Sequence, residues 1–261
     1  MEHSPEEIRI LSRPEGHTFV KTWYDLSDES HFWMQWRVAA FLRQATAVNA
    51  PFKKSLTGME VGCGCGVLRR QIEQITNWSI DGVELSLDPL KRTPKGRGKL
   101  FLYDITEKNK EFAGKYDFLF LYDVLEHVER TSTFLRACAY HMKNNGLLYI
   151  NVPAFNALYS AYDTAAGHRR RYSIKSLSEE LQDNQYKILD IRYWGFSLIP
   201  LLVLRKILTS PGQNRNAIII KGFKPPSPSV HAILKSLMSV ETALVRKPPL
   251  GTSVMAAAMK I

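Results

Sequence analysis

Short apolar runs alternate with helix-like stretches through the middle of the chain. Runs typical of buried strands occur at Leu56–Val61, Ile80–Glu84, Leu100–Tyr103, Tyr116–Tyr122, Leu147–Val152 and Lys187–Trp194. Between them, apolar residues recur at helical spacing in Val67–Ile75, Ser86–Arg92, Thr131–Lys143 and Ser176–Asp183. Strands and helices that alternate in this way favour a parallel sheet with crossover helices. The pattern predicts a Rossmann-like α/β core, in which ligands bind at the carboxyl ends of the strands.

The regions on either side of this core have different patterns. Residues 1–54 contain an aromatic-rich segment, His31–Arg37, followed by a helix-like stretch, Val38–Ala47. Beyond residue 196, Phe196–Leu208 and Val230–Val245 each combine apolar residues with Lys or Arg. Both stretches predict helices with one apolar and one basic side.

Composition places the chain among ordinary globular proteins and excludes several other classes. Of its 261 residues, 45% are hydrophobic and 23% are charged, which argues against disorder and against a collagen-like repeat. The longest apolar run, Phe196–Leu204, is half of the roughly 20 residues that a membrane-spanning helix needs. The first ten residues, MEHSPEEIRI, lack the features of a secretory signal. We therefore expect a cytoplasmic protein.

Cysteine content supports the same compartment. Only Cys63, Cys65 and Cys138 occur, too few for a disulfide framework or a four-cysteine zinc site. No metal-ligand spacing occurs among the seven histidines, so no bound metal is expected. Cys63 and Cys65 are interpreted as packing residues.

Positive charge is concentrated near the C-terminus. The net charge is +10, and residues 197–261 hold nine Lys or Arg but a single acid, Glu241. Such asymmetry indicates a polyanionic partner, for example nucleic acid, an anionic membrane surface or a phosphorylated substrate. The alternative is a solvated basic surface that has no partner.

A glycine-rich turn follows the first predicted strand. Residues 60–66 read Glu-Val-Gly-Cys-Gly-Cys-Gly and lead directly into a helix. Glycine permits positive φ and lets a ligand approach the backbone closely. Position 67 is Val, so the G-x-G-x-x-G fingerprint of dinucleotide-binding proteins is absent. The E-x-G-x-G-x-G spacing instead resembles motif I of class I S-adenosylmethionine-dependent methyltransferases.

Three later strand ends strengthen this resemblance. Glu84 ends the second strand, where a carboxylate can accept both ribose hydroxyls. Asp104 ends the third strand, at the position that contacts the adenine amino group in this family, although an Asp can also simply form a turn. After the fourth strand, Asp123–Val128 reads DVLEHV, which is similar to the ubiquinone-biosynthesis-like branch of the family.

The resemblance implies a seven-stranded class I methyltransferase sheet with helices on both faces. Its last strand, Ser253–Lys260, would be inserted antiparallel, and residues 197–252 would form a helical insertion between strands six and seven. The implied organisation is an N-terminal helical lid at 1–54, a cofactor-binding core at 55–196, a basic and apolar cap at 197–252, and a final strand at 253–261.

The resemblance also implies S-adenosylmethionine as the cofactor and a set of residues that bind it. Glu60 would position its methionine end, and the glycines of the turn would lie beneath it. The full set is Glu60, Gly62, Cys63, Gly64, Gly66, Glu84, Leu85, Asp104, Ile105, Tyr122, Asp123 and His127. In the N-terminal segment, His31, Trp33, Trp36 and Arg37 resemble a stretch that closes over the cofactor; the alternative is a helix that packs its aromatic residues on the core.

Methyl transfer requires a positioned nucleophile and, when that nucleophile is an oxygen, a base. His127 and His168 follow the fourth and fifth strands and are the candidate catalytic residues, because histidine can accept a proton near neutral pH. Asp163 and Tyr172 are alternative bases, and His168 could instead serve loop packing. Arg169–Arg171 could clamp an anion or form a solvated face.

Three functions follow from these features. The leading one is a methyltransferase for a small-molecule or lipid-linked acceptor, either neutral or anionic, with oxygen methylation favoured. An RNA-modifying enzyme is less expected, because no aromatic and basic stacking module and no N-P-P-Y-type sequence is found. A non-catalytic cofactor-binding protein is the third. Residues 197–250 are expected to contact an acceptor or a membrane surface, and the protein to be a monomer or homodimer.

Overall fold

A computed structural model describes residues 7–13, 21–26, 28–208, 214–223 and 227–261. The strands are β1 (Ile8–Ile10), β2 (Thr57–Val61), β3 (Ser79–Glu84), β4 (Leu100–Leu102), β5 (Tyr116–Tyr122), β6 (Met142–Pro153), β7 (Tyr186–Trp194) and β8 (Ser253–Lys260). The helices are α1 (Lys21–Leu26), α2 (Phe32–Ala47), α3 (Val67–Ile75), α4 (Leu87–Lys91), α5 (Thr131–His141), α6 (Ala161–Ala166), α7 (Ile174–Asp183), α8 (Ile199–Leu208), α9 (Arg215–Phe223) and α10 (Pro228–Leu244). The first six residues of the chain, part of the predicted lid, lie outside the described residues.

One sheet organises the fold, in the order β1-β4-β3-β2-β5-β6-β8-β7. Strands β1 to β6 pair in parallel, whereas β8 lies between β6 and β7 and is antiparallel to both. The chain reverses its direction of travel across the sheet at β2, whose neighbours are β3 and β5. This is the switch point at which such sheets bind ligands. The predicted Rossmann-like class and the antiparallel last strand are confirmed.

The strand count requires a correction. All seven predicted strands are present, but the described part of the chain contains an eighth, β1, paired in parallel with β4 at the sheet edge. Ile8–Ile10 is only three residues long and carries an Arg at its centre, so its pattern was too short to predict a strand. Two further helices were not predicted from the apolar spacing: α6, which has six residues, and α9.

The alternation of β5 explains how the sheet is covered on both faces. Phe118, Phe120 and Tyr122 pack with α2, α3 and α10 on one face. Leu119 and Leu121 pack with α5 and α7 on the other. Successive side chains of a strand point to opposite faces, and a parallel sheet buried on both faces has near-continuous apolar strands. The apolar runs in the sequence therefore mark the central strands.

The cap, defined here as α8, α9 and α10, is tied to the core by its single acidic residue. Glu241 on α10 is buried and accepts hydrogen bonds from the backbone N–H groups of Gly195, Phe196 and Ser197, at 2.9, 2.9 and 2.8 Å. Hydrogen bonds to a carboxylate are among the stronger ones in proteins. Glu241 thus holds α10 on the chain just after β7.

Among the described helices, none is long and apolar enough to cross a bilayer.

Candidate active site and cofactor cavity

A cavity of about 840 Å³ lies at the carboxyl ends of the central strands. Its floor contains the glycine turn after β2 and the ends of β3, β4 and β5, and its walls include residues of α2 and of the cap. The cavity is therefore continuous from the predicted cofactor turn to the apolar helices at the C-terminal end of the chain. Cavities at this position of an open α/β sheet are the usual ligand sites.

Glycine is required in the turn by its backbone conformation. Gly62, Gly64 and Gly66 have φ values of 69°, 53° and 69°, which side chains disfavour. Gly66 is the N-cap of α3. A Cβ atom on Gly64 would lie 3.2 Å from the ring of Tyr24 on α1. The turn thus presents backbone to the cavity, as a cofactor that lies against the chain requires.

Glu84 joins the end of β3 to this turn. One carboxylate oxygen accepts the Gly64 N–H at 3.0 Å, and the other accepts the N–H groups of Leu85 and Ser86 at 2.8 and 3.3 Å. Burial raises the pKa of Glu84, and the three N–H donors oppose that rise. The carboxylate lines the cavity in a fixed orientation, which suits it to accept ribose hydroxyls.

Removing this carboxylate is expected to weaken cofactor binding. Glu84→Ala should lower the affinity for S-adenosylmethionine by about 1.5 to 3 kcal/mol, because charge-assisted hydrogen bonds are lost. Glu84→Gln keeps one acceptor oxygen, so its affinity for S-adenosylmethionine should lie between those of Glu84→Ala and the parent protein. Isothermal titration calorimetry measures all three. Equal affinity of the Ala variant and the parent protein would exclude this role, and a preference for NAD would exclude the cofactor.

Glu60 is a second carboxylate below the cavity. It is buried at the end of β2 and accepts the Arg69 N–H at 3.0 Å. Burial raises its pKa to about 7, and the positive charges of Arg37 and Arg69 oppose this rise. A cationic ligand would favour the ionised form, as expected of a residue near the methionine end of the cofactor.

This raised pKa predicts a pH-dependent affinity. Below pH 7 the free protein holds a proton on Glu60, and binding of a cation must release it. Affinity for S-adenosylmethionine should therefore increase from about pH 5.5 to about pH 8 by about tenfold, and change little at higher pH. Calorimetry across this range measures the effect. In Glu60→Gln the increase should disappear; an unchanged increase would assign it to another group.

Asp104 forms a turn as well as lining the cavity. One of its oxygens accepts the N–H and the hydroxyl of Thr106, at 2.8 and 2.7 Å, and this bond caps the 3-10 turn that starts at Ile105. Both Asp104 and Ile105 line the cavity. The turn-forming alternative is thus present in the structure, and the contact of Asp104 with adenine stays a prediction.

Arg37 brings the N-terminal segment into the site. Its guanidinium donates to Asp123 at 2.8 Å and lies 5.6 Å from the centre of the Tyr122 ring. Asp123, at φ 59°, also accepts the Asn151 amide at 2.6 Å. The buried Tyr122 hydroxyl has no hydrogen-bond partner among the described residues. The Tyr122 hydroxyl is therefore available to form a hydrogen bond with a polar ligand in the cavity.

The aromatic residues of the N-terminal segment divide between the two expected roles. His31, Trp33 and Arg37 line the cavity. Trp36 is buried in the core and contacts Trp194 edge-on, with ring centres 5.5 Å apart, whereas Trp33 stacks on Trp194 at 4.7 Å. One helix therefore both packs on the sheet and forms a wall of the site.

The two cysteines of the turn are protonated thiols. Burial raises the pKa of Cys65 to about 11 and raises that of Cys63 well above its usual value. Cys63 lines the cavity but is buried. Since the thiolate is the nucleophile, neither thiol is activated for attack, and the packing role of both residues stays a prediction.

His168 and Asp163 form an oriented pair at the end of α6. The Nδ1 atom of His168 lies 2.8 Å from the buried Asp163 carboxylate, which also accepts the Arg171 guanidinium at 2.8 and 3.1 Å. Burial alone would raise the pKa of Asp163, but the hydrogen bonds from His168 and Arg171 hold it well below its usual range. Because an ionised carboxylate can only accept, we assign the proton to Nδ1. In the neutral imidazole the Nε2 atom then holds the lone pair.

His127 and Glu126 lie beside this pair. The His127 ring contacts His168 edge-on at 4.9 Å, and its Nδ1 lies 3.1 Å from the Gly167 carbonyl. Burial, aided by His168, lowers the pKa of His127 to about 3. Burial raises the pKa of Glu126 well above its usual value, and neither of its carboxylate oxygens has a hydrogen-bond partner among the described residues.

These three residues could also hold a metal ion. Ligand atoms of Glu126, His127 and His168 lie within 4.8 Å of one another, and the Nε2 of His168 is 3.9 Å from Glu126. The group was not found from the sequence because His168 is far from the other two along the chain. The expected absence of a metal stays a prediction.

The neighbouring arginines brace the loop. Arg171 donates to Asp163 and to the Ala154 carbonyl, Arg170 donates to the Val128 carbonyl, and Arg169 donates to the His127 carbonyl. Each of the three arginines thus binds at least one protein acceptor, and Arg169 and Arg171 also line the cavity; their role as an anion clamp stays a prediction. The Tyr172 hydroxyl is buried with a raised pKa, which makes it unsuitable as a base.

The sequence of residues 34–191, more than half of the chain, matches the profile of the family described as a methyltransferase domain. The chain belongs to this methyltransferase family. S-adenosylmethionine is the cofactor of this methyltransferase, and the cavity fits it. The groups that would hold it are the glycine turn, Glu60, Glu84 and the Tyr122 hydroxyl, which has no hydrogen-bond partner among the described residues. The contacts of individual residues with the cofactor stay predictions.

A curated relative of the methyltransferase is the ubiquinone biosynthesis O-methyltransferase of Caulobacter vibrioides. The two proteins are 28% identical over 109 residues, which is 40% of this chain and 43% of the relative. The similarity thus covers less than half of the length of that enzyme.

Solved structures show the same fold at low sequence identity. The 4+2-cyclase SpnF has a TM-score of 0.62 and 15% identity, with 98% of each chain covered. A methyltransferase of Archaeoglobus fulgidus has a TM-score of 0.52 and 18% identity, covering 85% of this chain and 93% of its own. Phosphoethanolamine N-methyltransferase 2 of Haemonchus contortus, solved with phosphomonomethylethanolamine and S-adenosylhomocysteine, has a TM-score of 0.53 and 16% identity, over 85% of this chain and 52% of its own. One of these folds carries a cyclase, so the acceptor chemistry must be argued from the site.

Proposed function

We propose that the methyltransferase transfers a methyl group to an oxygen of an acceptor that has a large apolar part, such as a lipid-linked small molecule. The observation that carries this proposal is the shape of the cavity. It joins the cofactor turn to His168, and it continues between apolar side chains of the cap such as Leu204 and Leu234. An apolar acceptor would bury its tail against these side chains and place its polar end beside His168.

The chain supplies positioning and a proton acceptor. When bound, S-adenosylmethionine supplies an electrophilic methyl group. Glu84 and the glycine turn would fix the cofactor, and the apolar wall of the cap would exclude water from the reacting atoms. The Nε2 of His168 would accept the acceptor's hydroxyl proton. Asp163, which already holds Nδ1, would stabilise the resulting imidazolium, as the third group does in other oriented nucleophile and base pairs.

The first test is a transfer assay with radiolabelled S-adenosylmethionine against lipid, RNA and protein fractions. We expect label in the lipid fraction, attached through oxygen, as determined by mass spectrometry of the product. Label in RNA or protein would overturn the acceptor class. Cofactor binding without transfer to any fraction would favour the non-catalytic alternative.

A further inference from the structure

The outer side of the cap exposes many apolar residues. Helix α8 has no buried residue: Val203 and Ile207 are exposed and lie outside the cavity lining, whereas the exposed Leu201, Leu204 and Leu208 line the cavity. Ile207 is 72% exposed. Contiguous apolar surface of this kind marks an interaction site in soluble proteins.

Helix α10 has two apolar stripes with separate roles. Leu234, Met238 and Glu241 are buried and hold the helix on the core. A second stripe is exposed on the outside and consists of Val230, Ile233, Leu237, Val240 and Leu244. Residues at alternating spacings of three and four lie on one face of a helix. The outer stripe is therefore not needed to hold α10 on the sheet.

The charge around these stripes has one sign. Lys235 on α10 and Arg246 just after it are exposed, whereas the exposed Lys206 and Arg215 donate to the carbonyls of Ala157 and Ala165. The only acid of the region, Glu241, faces inward and is occupied by backbone N–H groups. The outer surface therefore combines aliphatic and cationic groups, the combination that binds anionic lipid surfaces.

Two other partners fit this surface less well. A second copy of the chain would bring basic residues against basic residues, which opposes association. Single-stranded RNA is bound by aromatic side chains that stack on bases, whereas the exposed apolar side chains of α8 and α10 are aliphatic. The charge and the aliphatic character together favour a lipid surface.

We propose that the outer face of α8 and α10 docks on an anionic lipid bilayer. Leu201 and Leu208 of α8 and Val230 of α10 also line the cavity, so the docking face surrounds one end of the cavity. An acceptor held in the bilayer would reach His168 from this end without crossing water. This second step rests on the proposed function, whereas docking itself does not.

Vesicle sedimentation with the full chain tests docking, without cofactor or acceptor. We expect binding to vesicles of phosphatidylcholine and phosphatidylglycerol, little binding to pure phosphatidylcholine, and release by high salt. Lys235→Ala should weaken binding about fivefold. Ile207→Glu combined with Leu237→Glu should weaken it at least tenfold. Neither Ile207 nor Leu237 lines the cavity.

A matched control is Ile75→Glu, at the end of α3, where Ile75 is 50% exposed and lies outside the cap. It should bind vesicles like the parent protein. Equal effects of the control and the cap variants, or indifference to anionic vesicles at low salt, would overturn docking. A dimer in solution that Leu237→Glu dissociates, without vesicle binding, would reassign the face to self-association. Because binding is measured apart from transfer, failure of docking is distinguishable from failure of the proposed function.

Discussion

Replacing Gly64 by Val is expected to abolish binding of S-adenosylmethionine while the protein stays folded. Gly64 has φ 53°, a conformation that is strained for a β-branched residue. Its Cβ would lie 3.2 Å from the Tyr24 ring, and the rest of the Val side chain would occupy cavity space. We expect affinity to fall at least about a hundredfold, or about 2.7 kcal/mol, in calorimetry.

Gly114→Val is a matched control for the backbone strain. Gly114 has φ 58°, and nothing lies within 4 Å of the Cβ that the substitution would add. Both variants therefore carry a similar conformational cost, but Gly114 is outside the cavity lining. Circular dichroism and thermal melting compare the folds. If Gly64→Val loses both its fold and its binding while Gly114→Val keeps both, the turn has a structural role. If Gly64→Val binds S-adenosylmethionine normally, the cofactor lies elsewhere.

Replacing His168 should lower turnover by about 10² to 10⁴, with little change in cofactor affinity. A base acts only in the chemical step, so its loss lowers turnover without weakening cofactor binding. His168→Asn is the sharper variant, because its amide N–H can still donate to Asp163 while no proton acceptor remains. In His168→Ala, added imidazole should restore part of the activity.

The control for this series is His231→Asn, on α10 and outside the residues that line the cavity. It should keep the turnover of the parent protein. Unchanged turnover in both His168 variants would argue for a carbon or amine nucleophile. Loss of cofactor binding along with turnover would instead assign His168 to the cofactor site.

The strands and the cofactor turn could be predicted because their signals are local. The bounds of β5 and α3 agree with the predicted ones, since strands buried on both faces are continuous apolar runs and helices have a helical period. The bounds of β8 agree as well, but this strand was predicted from the resemblance to the family. The glycines of the turn were predictable for a related reason. A positive φ is a property of one residue, and glycine is the residue that adopts it freely.

The pairing of side chains could not be predicted. Arg37 meets Asp123 and Gln44 meets Asp190 only because the sheet brings distant segments together. Glu126 belongs to the DVLEHV motif, but its burial without a hydrogen-bond partner among the described residues is visible only in three dimensions. The contact between Asp163 and His168 could have been suspected from the sequence, because the two residues lie on either side of Gly167, the glycine that ends α6.

The cap is joined to the sheet at two neighbouring points, which has a consequence for how this fold can accept different caps. Trp194 at the end of β7 and Ser253 at the start of β8 are register partners, so the chain departs from and returns to adjacent points. The segment between them is an insert, and outside the buried face of α10 its length and sequence are not constrained by the strand register. A graft of another insert at this junction would keep the strand register, and it would test directly whether the cap selects the acceptor.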